Sequence, residues 1–190
     1  MISPRPAERD DETTRSQKGE SAVSANQDAQ PLPHLTAAGQ VHMVDVGAKP
    51  DTVRTATAEG WVHARPDVIA RVRDSAAAKG DVLAVARVAG IQGAKRTADL
   101  IPLAHPLPVT GTTVDITLEA DRIRVETTVT MRGPTGVEME ALTGTAAACL
   151  TLYDMLKAHD RAMVLGPIRL LSKTGGRTGA WRREVGDRHD

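Results

Sequence analysis

Phenylalanine is absent from this chain, and 190 residues hold only one tyrosine and two tryptophans. Aromatic platforms of the kind that stack single-stranded bases are therefore scarce. The core has to be filled by Val, Leu, Ile, Ala and Met. The single cysteine, Cys149, excludes a disulfide framework and fits a reducing compartment; set in apolar sequence, it reads as a small core residue. Net charge is missing as well. With 24 Lys+Arg against 24 Asp+Glu the chain is not built as a generic polyanion binder, and nucleic acid is not expected as a partner. No apolar run approaches the roughly 20 residues that span a bilayer, and the N-terminal stretch lacks a hydrophobic signal core. The expectation is a cytoplasmic protein without membrane contact.

Several catalytic signatures are also missing. There is no G-x-S-x-G, no G-x-G-x-x-G following a strand pattern and no G-x-x-x-x-G-K-[ST], so nucleophile-elbow, dinucleotide-binding and Walker readings drop out. His34, His42, His63, His105, His159 and His189 form no H-x-x-x-H and have no cysteine partner, which argues against a structural zinc site.

Residues 1–33 are rich in Ser, Gln, Glu, Asp, Arg and Pro, and cannot bury enough surface to offset their ordering entropy. They read as a disordered tail, with an ordered domain over 34–180 and a flexible C-terminal tail over 181–190. Within the domain, residues 55–64 alternate as a strand, Pro66 suits the first turn of a helix that runs to Lys79-Gly80, and Asp81 can cap a second helix over 82–94. That helix would pack through Val82, Val85, Ala86, Ala89 and Gly93. Asp99-Leu100-Ile101-Pro102-Leu103-Ala104-His105-Pro106-Leu107-Pro108 carries too many prolines for a helix or central strand and reads as a rigid apolar loop. Residues 114–118 and 123–129 form a hairpin pattern, 136–159 one long helix, and 163–171 a last strand before a glycine-rich end. The order β-α-α-β-β-α-β fits a two-layer α+β sandwich, with helices on one face of a largely antiparallel sheet.

The long helix carries the chemistry. Asp154 interrupts the apolar run Leu152-Tyr153-Asp154-Met155-Leu156, where desolvating an unpaired carboxylate would cost several kcal/mol. Lys157, one turn on, can meet it as an acid/base pair or as a solvated ion pair. At the other end, Glu138 and Glu140 suit the positive pole of the helix dipole whether or not they react. Sixteen residues at 1.5 Å each separate Glu138 from Asp154 by about 24 Å, so the two ends cannot share one site on one chain. An oligomer with sites at subunit contacts is the economical arrangement. His105, held between prolines, could donate to a phosphate or carry a proton. Lys173 and Arg177 in the glycine-rich end could cradle an anion, or the segment could be a flexible turn. Arg54, Lys79, Arg87, Lys95 and Arg96 add cations whose convergence the sequence leaves open.

Five blocks, taken in order, add a resemblance. They are Lys79-Gly80-Asp81; Ala89-Gly90-Ile91-Gln92-Gly93-Ala94-Lys95-Arg96-Thr97; Asp99-Leu100-Ile101-Pro102-Leu103-Ala104-His105-Pro106-Leu107; Gly136-Val137-Glu138-Met139-Glu140-Ala141-Leu142-Thr143; and Tyr153-Asp154-Met155-x-Lys157-Ala158. Over roughly residues 34–179 the chain resembles the cyclic pyranopterin monophosphate synthases, the MoaC family of molybdenum cofactor biosynthesis. The resemblance implies a ferredoxin-like α+β unit assembled as a homohexamer, a trimer of dimers with active sites between subunits. It implies conversion of a 3′,8-cyclised dihydroguanosine triphosphate, supplied by a radical SAM GTP cyclase, into cyclic pyranopterin monophosphate with release of pyrophosphate. By the same resemblance Asp154, Lys157 and Lys79 are the catalytic residues. Leu103, Ala104 and His105, with Met139 and Glu140, contact substrate, Glu138 beside them joins the binding set, and Arg54, Lys95 and Lys173 bind the triphosphate. No redox cofactor is required for acid/base steps of this kind, and Mg²⁺ can accompany the triphosphate. Ala104 stands where relatives often carry Cys, which excludes a thiol role there. The rival reading is a non-catalytic nucleotide-binding subunit with the same fold.

Overall fold

The computed structural model describes residues 32–75 and 82–184. Among them the chain runs β1 (Thr52–His63), α1 (Pro66–Ser75), α2 (Val82–Lys95), α3 (Thr97–Leu100), β2 (Gly111–Leu118), β3 (Arg122–Gly133), α4 (Glu138–Leu156), β4 (Val164–Thr174) and β5 (Trp181–Arg182). The strands form one sheet in the order β2-β3-β1-β4-β5, and every neighbouring pair is antiparallel. With the two long helices α2 and α4 packed on it, this is the two-layer α+β sandwich expected from the element order, ferredoxin-like as the resemblance implies. α3 and the short edge strand β5 lie outside that reading; β5 falls just past the expected end of the domain at residue 180.

The period of β1 decides which side faces the helices. Ala56, Ala58 and Val62 are buried, and a Cβ added at Gly60 would stand 2.8 Å from Thr145 Cγ2 and 3.3 Å from Cys149 Sγ. α4 therefore lies directly on β1, at a separation that only a glycine allows. Ile123 and Val125 of β3, Ala148, Leu152 and Leu156 of α4, and Val68, Ile69 and Val72 of α1 complete the main apolar cluster. Each buried Val, Leu or Ile among them stabilises the fold by about 1.5–3 kcal/mol. A second cluster, built from Ala56, Ala58, Ala94, Val129, Met131, Val137 and Ala141, lies under the N-terminal end of α4.

The other side of the sheet departs from simple alternation, because Glu59 and Trp61 are buried there too. Glu59 accepts from Arg124 on β3 and from Arg169 on β4, and the Arg169 guanidinium lies 5.1 Å from the centre of the Trp61 ring. Paired charges cover this patch in place of aliphatic side chains, and the pairing repays the desolvation of the carboxylate.

The helices correct three expectations. On α2 the buried residues are Ala86, Gly90 and Ala94, while Val85 is 45% and Val88 59% exposed. The contact is made by the smallest residues: a Cβ at Gly144 of α4 would come within 2.9 Å of the Gly90 carbonyl oxygen, so the two helices touch backbone to backbone. α4 ends at Leu156, short of the expected residue 159. Asp154 is not inside the apolar seam: Leu152 and Leu156 point inward, and a residue two places after Leu152 projects to the opposite side of the helix.

Candidate active site

The site grows from the N-terminal end of α4, the start of β1 and the end of β4. Arg54 on β1 donates from Nε to the Gly133 carbonyl at 3.2 Å and from a terminal nitrogen to that of Pro134 at 3.1 Å. The loop after β4 passes over it. Gly175 and Gly176 have φ of +89° and +76°, and a Cβ on Gly176 would overlap the Arg54 guanidinium, so both conformation and space require glycine. Lys173 donates to Thr178 Oγ1 at 3.0 Å and pairs with Glu138 Oε1 at 3.3 Å. The Glu138 carboxylate occupies the space a side chain at Gly136 would need. Together Lys49, Arg54, Lys173, Arg177 and Glu138 line a cavity of about 610 Å³. Four cations against one carboxylate give it a positive lining, which suits an anion.

A second cavity, of about 380 Å³, shares Lys49, Thr135, Gly136 and Glu138 with the first, so the two adjoin. Leu103, Ala104 and His105 of the proline-rich loop form one wall, and Met139 and Glu140 of the first turn of α4 another. His105 Nε2 lies 2.9 Å from the carbonyl of Val44. A carbonyl only accepts, so Nε2 carries the hydrogen and Nδ1 is left to accept in the neutral ring. Glu140 is only 3% exposed. Burial, with a smaller contribution from the charge of Glu138, pushes its carboxyl up to about 7 against the opposing pull of its own backbone N–H. A carboxyl titrating there can both give and take a proton near neutrality. Lys95 lies exposed at the end of α2 and lines a further cavity of about 370 Å³ with His105 and Glu140.

Arg54, Glu138 and Lys173 are thus brought together, and so are Leu103, Ala104, His105, Met139 and Glu140. Lys95, expected beside Arg54 and Lys173, instead lines a different cavity, with His105 and Glu140. Asp154 and Lys157 stand at the other end of α4, paired at 2.6 Å with side chains 70% and 56% exposed. The carboxylate, through this hydrogen bond and its charge, holds the Lys157 ammonium above its usual range. As a solvated pair they do not incur the desolvation cost that the apolar run suggested. Lys79 and the Asp81 cap lie outside the described residues. Cys149 is fully buried and its thiol is pushed up to about 12 by burial, as befits a core residue. Lys49, which lines both cavities, escaped the sequence reading: it sits between Ala48 and Pro50 in a segment without regular structure, where no periodicity marks a side chain as inward.

A family model described as the MoaC family matches residues 43–176, a span that holds both cavities' principal walls. The chain belongs to the MoaC family. A cyclic pyranopterin monophosphate synthase of Thermomicrobium roseum is 58% identical over 155 residues, covering 80% of this chain and 93% of that protein. One of Corynebacterium glutamicum is 54% identical over 150 residues, covering 79% of this chain and 96% of that protein. The MoaC match opens at Met43, beside the Val44 carbonyl that holds His105, and closes at Gly176, over Arg54.

Proposed function

We propose that this chain is a cyclic pyranopterin monophosphate synthase. It takes a 3′,8-cyclised dihydroguanosine triphosphate, made by an upstream radical SAM GTP cyclase, and forms cyclic pyranopterin monophosphate and pyrophosphate. The observation that carries the reading is the juxtaposition, through shared walls, of a four-cation cavity and a less charged one that holds a buried carboxyl titrating near neutrality. Lys49, Arg54, Lys173 and Arg177 hold the phosphates and stabilise the charge that develops as pyrophosphate departs. The base and sugar lie against Leu103, Ala104, His105 and Met139. Glu140 and His105 are within the cavity where purine-to-pterin rearrangement needs protons moved. No resident cofactor enters this scheme, and any Mg²⁺ arrives on the substrate's phosphates.

Asp154, Lys157 and Lys79 are the proposed acid/base groups, and the first two project from the far end of α4. About 24 Å of helix separates Asp154 from Glu138, so a second copy supplies them, and the working form is the homohexamer, with sites between subunits, that the family resemblance implies. The test is conversion of the cyclised nucleotide, read by chromatography of the fluorescent oxidation product. Asp154→Asn is expected to lower turnover by at least about 100-fold, in the range of a positioned acid or base, with assembly retained. Full turnover in that variant removes Asp154 from its role. A non-catalytic nucleotide-binding subunit would bind the nucleotide and give no product.

A further inference from the structure

We propose that Glu138 is a displaceable internal counter-ion, occupying Lys173 while the phosphate cavity is empty and releasing it when a polyphosphate enters. The inference rests on the phosphate reading of this cavity and deepens it. The Lys173 ammonium has two partners: the neutral Thr178 hydroxyl at 3.0 Å, and Glu138 Oε1 at 3.3 Å, its one anionic partner among the described residues. Arg54, by contrast, is already committed to two neutral backbone carbonyls. An entering phosphate therefore meets a carboxylate competitor at Lys173 and none at Arg54.

Exchange is feasible because neither side chain is sealed in. Glu138 and Lys173 are 29% and 27% exposed, so phosphate oxygens can approach the ammonium without disturbing the core. Glu138 also has somewhere to go. It lines the neighbouring cavity as well, which Lys49 shares, and in either position it stays at the N-terminal end of α4, where the helix dipole favours a negative charge. A lysine–carboxylate pair that solvent still reaches is a modest interaction. A phosphate set among four cations forms several charge-assisted bonds at once and outcompetes it. A singly charged anion gains less on displacing Glu138, so the carboxylate also filters for polyphosphates.

The experiment is calorimetric titration of the full chain with inorganic pyrophosphate. Glu138→Gln, close in shape to the native residue, is expected to bind pyrophosphate about fivefold more tightly than the wild type, and this gain should vanish when Lys173→Ala is added. Unchanged or weakened binding in Glu138→Gln overturns the proposal. So does a gain that persists in full without Lys173, since the effect would then be general charge removal. A crystal structure of the wild type with pyrophosphate gives an independent reading: the Glu138–Lys173 pair is expected to be open, and its retention beside the bound anion overturns the proposal. If the wild type binds no pyrophosphate, the phosphate reading fails with it; if it binds and only the variant effect is missing, the counter-ion alone fails.

Discussion

Glu140 makes the fold itself sensitive to pH. Its carboxyl titrates at about 7 in the folded chain against 4.5 when solvated. Below about pH 4.5 it is protonated in both states. Between the two values the folded protein keeps a proton that the unfolded chain has lost, so stability falls as pH rises, and above about 7 the full cost is in place. A difference of that size corresponds to about 3 kcal/mol. Denaturant unfolding at pH 5 and pH 8 is expected to show most of this loss in the wild type and a much flatter dependence in Glu140→Gln; equal slopes would mean that Glu140 is not held in apolar surroundings. Asp154 stands in solvent instead. Being 70% exposed, it can be changed to Asn with a stability change within about 0.5 kcal/mol, so a thermal melt of that variant separates lost turnover from lost folding. The identities of these residues were legible in the sequence; their solvation was not. The run Leu152-Tyr153-Asp154-Met155-Leu156 looks uniformly apolar when read along the chain, and only the turn of the helix sends Asp154 outward. Conversely, Glu140 in its charged-looking first turn gave no sign of being buried.

At the scale of elements, the contact between α2 and α4 depends on Gly90 and Gly144. A methyl group at Gly144 would meet the Gly90 carbonyl oxygen at 2.9 Å and Thr127 Cγ2 at 3.0 Å. Overpacking of this kind costs about 1–3 kcal/mol, more than the roughly 1 kcal/mol that alanine gains over glycine in a helix. Gly144→Ala is therefore expected to lower the denaturant midpoint, and a raised midpoint would show that the helices can separate without loss. Order and type of the main elements followed from periodicity and proline placement. Boundaries and faces did not. Small residues give a weak hydrophobic signal, so the pattern points to a seam including Val85, whose side chain is exposed, and α2 packs through Ala86, Gly90 and Ala94. β4 runs to Thr174, past the expected end at residue 171, and carries Lys173 as a strand residue beside α4 and not as part of the glycine-rich loop.

For the whole molecule, the length of α4 turns a structural observation into a kinetic one. If each site takes Asp154 from one chain and Lys173 from another, two individually inactive variants can repair each other. Asp154→Asn and Lys173→Ala, dissociated and reassembled as an equal mixture, are expected to recover about a quarter of wild-type turnover, the fraction of random pairings in which both contributing ends are intact. No recovery from a mixed assembly would place the whole site on one chain. The sequence could announce that the ends of α4 are too far apart to cooperate, because helical rise is fixed; it could not show that Lys49, Arg54, Lys173 and Arg177 converge, because that depends on how strands far apart in the chain align.

The hydrogen bond from His105 to the Val44 carbonyl has a consequence for tolerance to change. A carbonyl belongs to every amino acid, so position 44 can be substituted without removing the acceptor, and the chemical requirement of this latch falls entirely on His105. What position 44 cannot absorb is a shift along the chain. Deleting one residue between Gln40 and Val44 would move the carbonyl off the imidazole and should disturb the ring cavity more than any side-chain replacement in that stretch.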